Sequence, residues 1–356
     1  VARDPAALAH IRDQVGRALR SFLEQQRTVL LRAGGELLPG LEALEELLAA
    51  GKRLRPAFCY WGWRGAGGAD GPPILAAAAA LELLHASALV HDDVMDGSDT
   101  RRGRPSLHRR FAARHAGQLW HGSPESFGTG AAILLGDLLL SWTDGMYHAS
   151  GLPDDALRRG QAVLDLMRTE VIAGQYLDLL GQASGNETVE SALRVVEYKT
   201  AKYTIERPLQ LGAALAGFPD GPVPAAFSAY GLPLGVAYQL RDDILGVFGD
   251  PAQTGKPAGD DVREGKRTVL LAIARARAGA AQARIIDERL GDPQLDGAGV
   301  AEVRAVITDT GALAACETMI GEHVAQAVAA LGQAPITDEA KAALAELAVA
   351  ATARQG

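Results

Sequence analysis

Two aspartate clusters set the chemistry open to this chain. The first is Asp92-Asp93-Val94-Met95-Asp96, followed closely by Arg101-Arg102-Gly103. The second is Asp242-Asp243-Ile244-Leu245-Gly246, followed by Lys256 and Lys266. Adjacent carboxylates repel one another, and burying them is costly unless a cation neutralises them. In a helix, positions i and i+4 share a face, so Asp92 and Asp96 project together with Asp93 to one side. Hard Mg²⁺ suits such oxygen ligands, keeps several waters and bridges to phosphate oxygens. Two clusters with basic residues just downstream therefore point to divalent metal ions and a polyanionic ligand, with pyrophosphate the natural candidate. The bland alternative is a solvated acidic patch at a helix end. It is disfavoured because the helix macrodipole is already negative there.

The elements that must carry these clusters are helices. Ala, Leu, Glu, Arg and Gln fill the long segments, and β-branched alternation is scarce. Breakers punctuate the chain at Gly34-Gly35, Gly65 to Pro73, Gly122-Ser123-Pro124, Gly151-Leu152-Pro153, Gly185-Asn186, Phe218 to Pro224, Asp250 to Gly259, Gly291 to Gly299 and Gly332 to Thr337. No interval reads as a flexible linker, and no short-period repeat is present. The expectation is one all-α domain, a bundle of roughly ten or more helices. The first cluster ends an apolar helix over Ile74 to Asp96, and the second ends a helix from about Phe227 to Val247. Packed side by side, those helices would turn their carboxylates towards each other across the mouth of a cavity.

Bulk properties exclude several classes. The chain has 356 residues, is 48% hydrophobic and carries a net charge of −8, which argues against a general nucleic-acid binder. Cys59 and Cys316 are the only cysteines and fit neither a disulfide framework nor a thiolate metal site. A reducing, cytoplasmic setting is the default. The first stretch, Asp4 to Gln26, is charged and amphipathic, unlike a signal peptide, and no lipidation motif is visible. The longest apolar run, Ile74 to Val90, is interrupted by Glu82 and His85 and reads as a buried helix, not a transmembrane segment.

Further residues sit where they could serve the same cavity. His85 lies two turns before Asp92, nearly on its face. A lone histidine there is as readily a satisfied core residue. Gln239 lies one turn before Asp242. Lys52-Arg53-Leu54-Arg55-Pro56 forms another basic group after Gly51, while Lys199, Lys202, Lys256 and Lys266 alone would read as surface lysines.

Taken in order, these pieces closely resemble the motifs of trans-isoprenyl diphosphate synthases, the polyprenyl synthetase family, and within it bacterial geranylgeranyl diphosphate synthases. His85 to Asp96 with Thr100-Arg101-Arg102-Gly103-Arg104-Pro105 resembles the first aspartate-rich motif. Tyr238 to Gly246, with Gly255-Lys256-Pro257 and Gly265-Lys266-Arg267-Thr268, resembles the second. Gly51 to Pro56 resembles the isopentenyl diphosphate motif, Glu197 to Lys202 the lysine-threonine segment, and Gly174-Gln175-Tyr176-Leu177-Asp178 the glutamine helix. The resemblance runs from about residue 51 to 270 and implies one polyprenyl synthetase domain over residues 1–356.

The resemblance implies head-to-tail condensation of isopentenyl diphosphate with an allylic diphosphate (dimethylallyl, geranyl, farnesyl or longer). It implies Mg²⁺, three ions per active site, held by Asp92, Asp96 and Asp242 with Asp93 and Asp243 in support. Arg101, Lys199, Lys256 and Lys266 would grip the allylic diphosphate. Lys52, Arg55, His85 and Arg102 would bind isopentenyl diphosphate. Thr200 and Gln239 would offer dipoles to the allylic cation, with Lys199 beside them. A homodimer is implied as well. The second cluster lacks the third aspartate usual in many relatives, having Gly246 there. Whether Asp250, past the helix end, takes that place the sequence leaves open. Ser87 and Ala88 are small where farnesyl-making relatives carry bulky aromatics, and Leu84 and Leu81 could form a floor beneath. The expected product is therefore geranylgeranyl (C20) diphosphate or somewhat longer. Two alternatives share the fold. A class I terpene cyclase usually carries an Asn/Asp-x-x-Ser/Thr-x-x-x-Glu second motif, and a regulatory subunit of a heteromeric prenyltransferase typically loses one aspartate motif. Here the second cluster is Asp-Asp-rich and Lys52, Arg55 and His85 supply a second diphosphate site that a cyclase does not need, while retention of both aspartate motifs argues against the regulatory subunit.

Overall fold

The computed structural model describes residues 6–185, 188–250 and 259–352. Its first helix, α1 (Ala6–Ala33), buries Leu8, Ile11, Val15, Leu19 and Phe22 at helical spacing, which lays it on the core as one apolar stripe. A short 3₁₀ turn leads to α2 (Leu38–Ala49) and α3 (Leu54–Gly65). Then comes α4 (Pro72–Met95), opened by prolines in its first turn, where no intrahelical N–H is lost. A two-stranded antiparallel hairpin, β1 (Thr100–Arg101) and β2 (Arg104–Pro105), turns the chain back after the first aspartate cluster. α5 (Leu107–Gly117) and α6 (Pro124–His148) follow, with Ser123 capping α6 by accepting from the Ser126 N–H.

The long α7 (Asp154–Ser184) ends on Gly185 in the left-handed region. Beyond α8 (Val189–Val195) the helix widens into a π-helical segment over Val196–Glu206, then resumes as α9 (Arg207–Leu215). Next is α10 (Pro222–Phe248), which carries the second cluster. The chain closes with α11 (Asp260–Arg263), α12 (Val269–Arg277), α13 (Ala280–Arg289), α14 (Gly297–Asp309), α15 (Ala312–Gln333) and α16 (Asp338–Thr352). The all-α expectation holds.

The core has two parts. One gathers α1 to α7, α9, the first half of α10 and α16 around α4. The other is built from α8, the second half of α10 and α12 to α15. α4 is long and apolar enough to cross a membrane by length and composition, with mean hydropathy 1.7, but 72% of that window is buried inside the protein. Its neighbours are α1, α3 and α6. α10 packs on α15 and on the π segment, which it shares with α7.

Candidate active site

The π segment is held from two sides by glycines. A Cβ on Gly174 of α7 would lie 2.4 Å from the Lys199 backbone nitrogen, and one on Gly235 of α10 would lie 2.4 Å from the Ala201 Cα. Both helices therefore press their backbones against this stretch, and it has no room to slide. π-helical turns are rare and concentrate at functional sites. Here the turn presents Lys199, Thr200 and Tyr203. Behind it, Glu170 of α7 accepts from Lys202 at 3.1 Å and from Arg207 at 2.6 and 2.7 Å.

At the end of α4 the first cluster is neutralised from both flanks. Lys199 Nζ donates to Asp92 at 3.3 Å and to Asp178 at 2.6 Å. Arg101, carried back by the hairpin, donates from Nε to Asp93 Oδ1 at 2.8 Å, makes a second bond to the same oxygen, and lies 3.6 Å from Asp92. Burial alone would raise the Asp92 pKa, but Lys199, Lys266 and Arg101 more than offset it and hold it low. Asp96 differs. Both of its carboxylate oxygens are shielded from solvent and make no hydrogen bond. Burial, then the charge of Asp92, pushes it up to about 6.

The second cluster is tied to the π segment through α10. Thr200 Oγ1 donates to Gln239 Oε1 at 2.7 Å, and Gln239 Nε2 donates to Asp243 Oδ1 at 2.8 Å. Asp243 is buried and pushed up to about 8, by burial first and by the charges of Asp261 and Asp242 next. Asp242 is exposed. Lys266 lies 2.8 Å from Glu264 and 3.6 Å from Asp261. Burial would lower its pKa, but Asp261, Glu264 and Asp92 together raise it well above the usual lysine range. Ser98, just past the first cluster, donates to Glu264 at 3.0 Å. The two clusters thus share Lys266 electrostatically, and the Ser98–Glu264 hydrogen bond ties together the segments that follow them. Lys256 lies outside the described residues.

Gly246 has an unexpected neighbour. A Cβ built there would fall 1.7 Å from Asp261 Oδ2, so the Asp261 carboxylate fills the space where a side chain at 246 would start. Asp250 is exposed, beyond the end of α10. Nothing in the cluster spacing pointed to Asp261. The signal available was the acidic pair Asp260-Asp261 five residues before Lys266. Asp178, at the end of the glutamine-helix motif, takes a definite place through its ion pair with Lys199 at 2.6 Å.

A second basic group forms beside the first. Arg55 donates to Thr204 Oγ1 at 2.8 Å and stacks 4.3 Å over the Tyr203 ring, with its Nε unpartnered. His85 packs against the same ring, centroids 6.3 Å apart, and its Nδ1 has no partner. Burial and the guanidiniums of Arg55, Arg102, Arg101 and Arg53 hold this imidazole well below its ordinary pKa, so it is neutral at pH 7. Arg102 spends its Nη1 on the Leu47 and Ala50 carbonyls, at 2.8 and 2.7 Å. Lys52 is exposed, next to Gly51 at the rim.

Along α4, His85, Ala88, Leu89, Asp92 and Asp96 are all half-buried, at spacings of one helical turn. They form the face that looks onto the site. Leu84 and Leu81 continue that face one and two turns below Ala88, buried, and Ser87 is buried beside Ala88. Of the expected chain-length residues, Ala88 is half-buried on the aspartate face, Leu84 is buried one turn below it and Ser87 is buried at its side.

Residues 41–308 match the family model described as polyprenyl synthetase. The chain belongs to the polyprenyl synthetase family. The structure of geranylgeranyl pyrophosphate synthase from Corynebacterium glutamicum, complexed with isoprenyl diphosphate and magnesium, is similar at a TM-score of 0.94. It is 41% identical, with 98% of this chain and 99% of that one covered. The geranylgeranyl diphosphate synthase of Mycobacterium tuberculosis is 31% identical over 92% of this chain and 89% of its own length. The geranylfarnesyl diphosphate synthase of Aeropyrum pernix is 32% identical over 83% and 87%. As a polyprenyl synthetase, this chain is a prenyltransferase that builds trans-prenyl diphosphates. Membership does not fix the product length.

Among the described residues no three acids, histidines or cysteines enclose a ready metal cage. Mg²⁺ rarely needs one, since it binds through one or two carboxylates plus substrate phosphates. The unpartnered, shielded oxygens of Asp96, one turn from Asp92, are the donor set such an ion requires.

Proposed function

We propose that the chain condenses isopentenyl diphosphate with allylic diphosphates, with geranylgeranyl (C20) diphosphate as its main product. Asp92, Asp96 and Asp242 hold magnesium, three ions per active site, with Asp93 and Asp243 supporting them and Asp261 standing in for the acid missing at Gly246. Bound magnesium supplies positive charge to the departing pyrophosphate. Arg101, Lys199, Lys256 and Lys266 bind the allylic diphosphate. Lys52, Arg55, His85 and Arg102 bind isopentenyl diphosphate, with His85 acting as a neutral donor.

In the reaction the allylic carbon–oxygen bond breaks and pyrophosphate leaves. Lys199 and Lys266, already aimed at this region, stabilise the charge that develops on it. The Thr200 hydroxyl and the Gln239 amide turn their oxygen dipoles to the allylic cation. The isopentenyl double bond attacks that cation, a new carbon–carbon bond forms, and a proton is lost to the pyrophosphate just formed. No side-chain base is needed. The observation that carries this reading is the placement of the half-buried cations Lys199 and Lys266 against the first aspartate cluster, with Lys266 also bearing on Asp243 of the second.

Small Ala88 on the aspartate face, and Ser87 beside it, support a product longer than C15. The chain is proposed to act as one domain over residues 1–356, in the cytoplasm, where its two buried cysteines stay reduced. It is proposed to work as a homodimer, supported by exposed Ile133 and Leu134 on α6 and Ile172, Tyr176 and Leu180 on α7. Chromatography of products from isopentenyl diphosphate with dimethylallyl, geranyl or farnesyl diphosphate and Mg²⁺ tests the reading. C20 from each primer is expected. A sole C15 product from the shorter primers overturns the length. Pyrophosphate release without isopentenyl consumption overturns the condensation.

A further inference from the structure

One buried ion pair has no part in the chemistry above. Arg53 and Glu82 are 5% and 4% exposed, and Arg53 Nη1 donates to Glu82 Oε2 at 2.5 Å. Arg53 Nη2 also donates to the Leu48 carbonyl. Arg53 itself sits at φ 56, in the left-handed region that a non-glycine residue adopts at a cost. A buried ion pair is a weak source of net stability, because desolvation cancels much of its attraction. Its geometry says more. Glu82 is three residues before His85 on α4, so it fixes the start of the basic segment to the helix that carries His85. Around it, the last carbonyls of α2 (Leu47, Leu48 and Ala50) all accept from guanidiniums, of Arg102, Arg53 and Arg102 in turn. Gly51 closes the turn at φ 129, and a Cβ there would stand 3.2 Å from Arg102 Nη2 and 3.6 Å from Glu82 Oε2. Lys52 and Arg55 flank Arg53 on either side, so the latch sets the position of three of the four groups assigned to isopentenyl diphosphate.

We propose that Glu82 and Arg53 are positioning residues for the isopentenyl diphosphate subsite: their buried pair docks the Gly51–Arg55 turn and the end of α2 onto α4, and so aligns Lys52, Arg55 and Arg102 with His85. This rests on the condensation reading above. Glu82 touches no substrate and acts only through Arg53. Among the described residues the hydrogen bonds of the latch reach only Leu48, and none reaches Arg101, Lys199, Lys266 or the aspartates of the allylic subsite, which should not respond.

The test is steady-state kinetics on Glu82→Gln, which keeps the shape and removes the charge, with melting temperature measured alongside. The expected result is a KM for isopentenyl diphosphate raised by about tenfold, the loss of one charged hydrogen bond, with KM for farnesyl diphosphate within about twofold of wild type. An unchanged isopentenyl KM, or an equal rise in both, overturns the proposal. Should Glu82→Gln fail to fold, the double variant Arg53→Met with Glu82→Leu removes both charges without leaving either one buried alone. It is judged by the same ratio. Wild-type turnover separates the two levels. If the wild type consumes no isopentenyl diphosphate, the condensation reading falls, whatever the variants do.

Discussion

At the scale of single residues, Gly246 and Asp261 make one joint statement. A glycine at the third position of the second cluster reads as a loss, yet the Asp261 carboxylate occupies that space. Removing its charge in Asp261→Asn should raise the Mg²⁺ concentration for half-maximal activity by about tenfold or more. It should also weaken Mn²⁺ binding followed by electron paramagnetic resonance. Gly246→Asp alone should unfold or inactivate the protein, because two carboxylates would compete for one position. Combined with Asp261→Gly it should recover much of both readouts. An inactive double variant with normal stability would show that the two positions are not equivalent. Product length belongs to this scale too. Ala88 lies one turn before Asp92 on the open face of α4, so Ala88→Phe should shift the product towards C15. Ser87→Phe should shorten it as well, with a stability cost of about 1–3 kcal/mol, because Ser87 is buried at 3% exposure. Chromatography and denaturant unfolding separate the two effects.

Among the elements, the π segment decides the most. Gly174→Ala would drive a methyl group into the Lys199 backbone, and either α7 or the segment must move. A loss of about 1–3 kcal/mol in unfolding free energy is expected, with kcat reduced because Lys199 and Thr200 shift together. Glu170 anchors the same segment electrostatically. Burial raises its pKa, but Arg207 and Lys202 more than offset this, and the net shift is downward from 4.5. A depressed carboxylate stabilises the fold above its unfolded pKa and loses that contribution as pH falls below it. The wild type should therefore lose stability on acidification below about pH 4.5 more steeply than Glu170→Gln. Parallel acid-unfolding curves for the two would refute the assignment. Both ends of α4 and the end of α10 were readable to within two residues, because Gly97 and Gly249 are local signals, but α10 begins at Pro222, inside the stretch that reads as a breaker and five residues before Phe227. The widening of 196–206 was not readable. Its cause is the approach of two distant glycines, Gly174 and Gly235, and no local pattern encodes it. The same holds for Asp261. The resemblance singled out Lys199, Thr200 and Gln239, but the acid facing Gly246 depends on how the chain returns after α10.

For the whole molecule, the apolar residues left exposed on α6 and α7 point to self-association. Light scattering should report a mass near twice 37.2 kDa. Leu134→Asp with Ile172→Asp should reduce it to that of one chain, and an unchanged mass would place the contact elsewhere. α4 has a consequence of a different kind, for biosynthesis. It is a core helix only by virtue of its surroundings, since its composition alone would satisfy a bilayer. During translation α4 leaves the ribosome before α6, whose first residue is Pro124, has been made to cover it. At ordinary elongation rates that gap lasts on the order of seconds. For that interval the nascent chain presents what a targeting factor reads as a signal anchor. Fragments ending before α6 should co-sediment with membranes or ribosome-associated chaperones, while chains extended past His148 should escape both. The small residues Ala77 to Ala80, fully packed into the core, keep the hydropathy of α4 below that of an all-leucine span. The same composition thus packs α4 closely in the folded protein and leaves it a marginal membrane segment until α6 covers it.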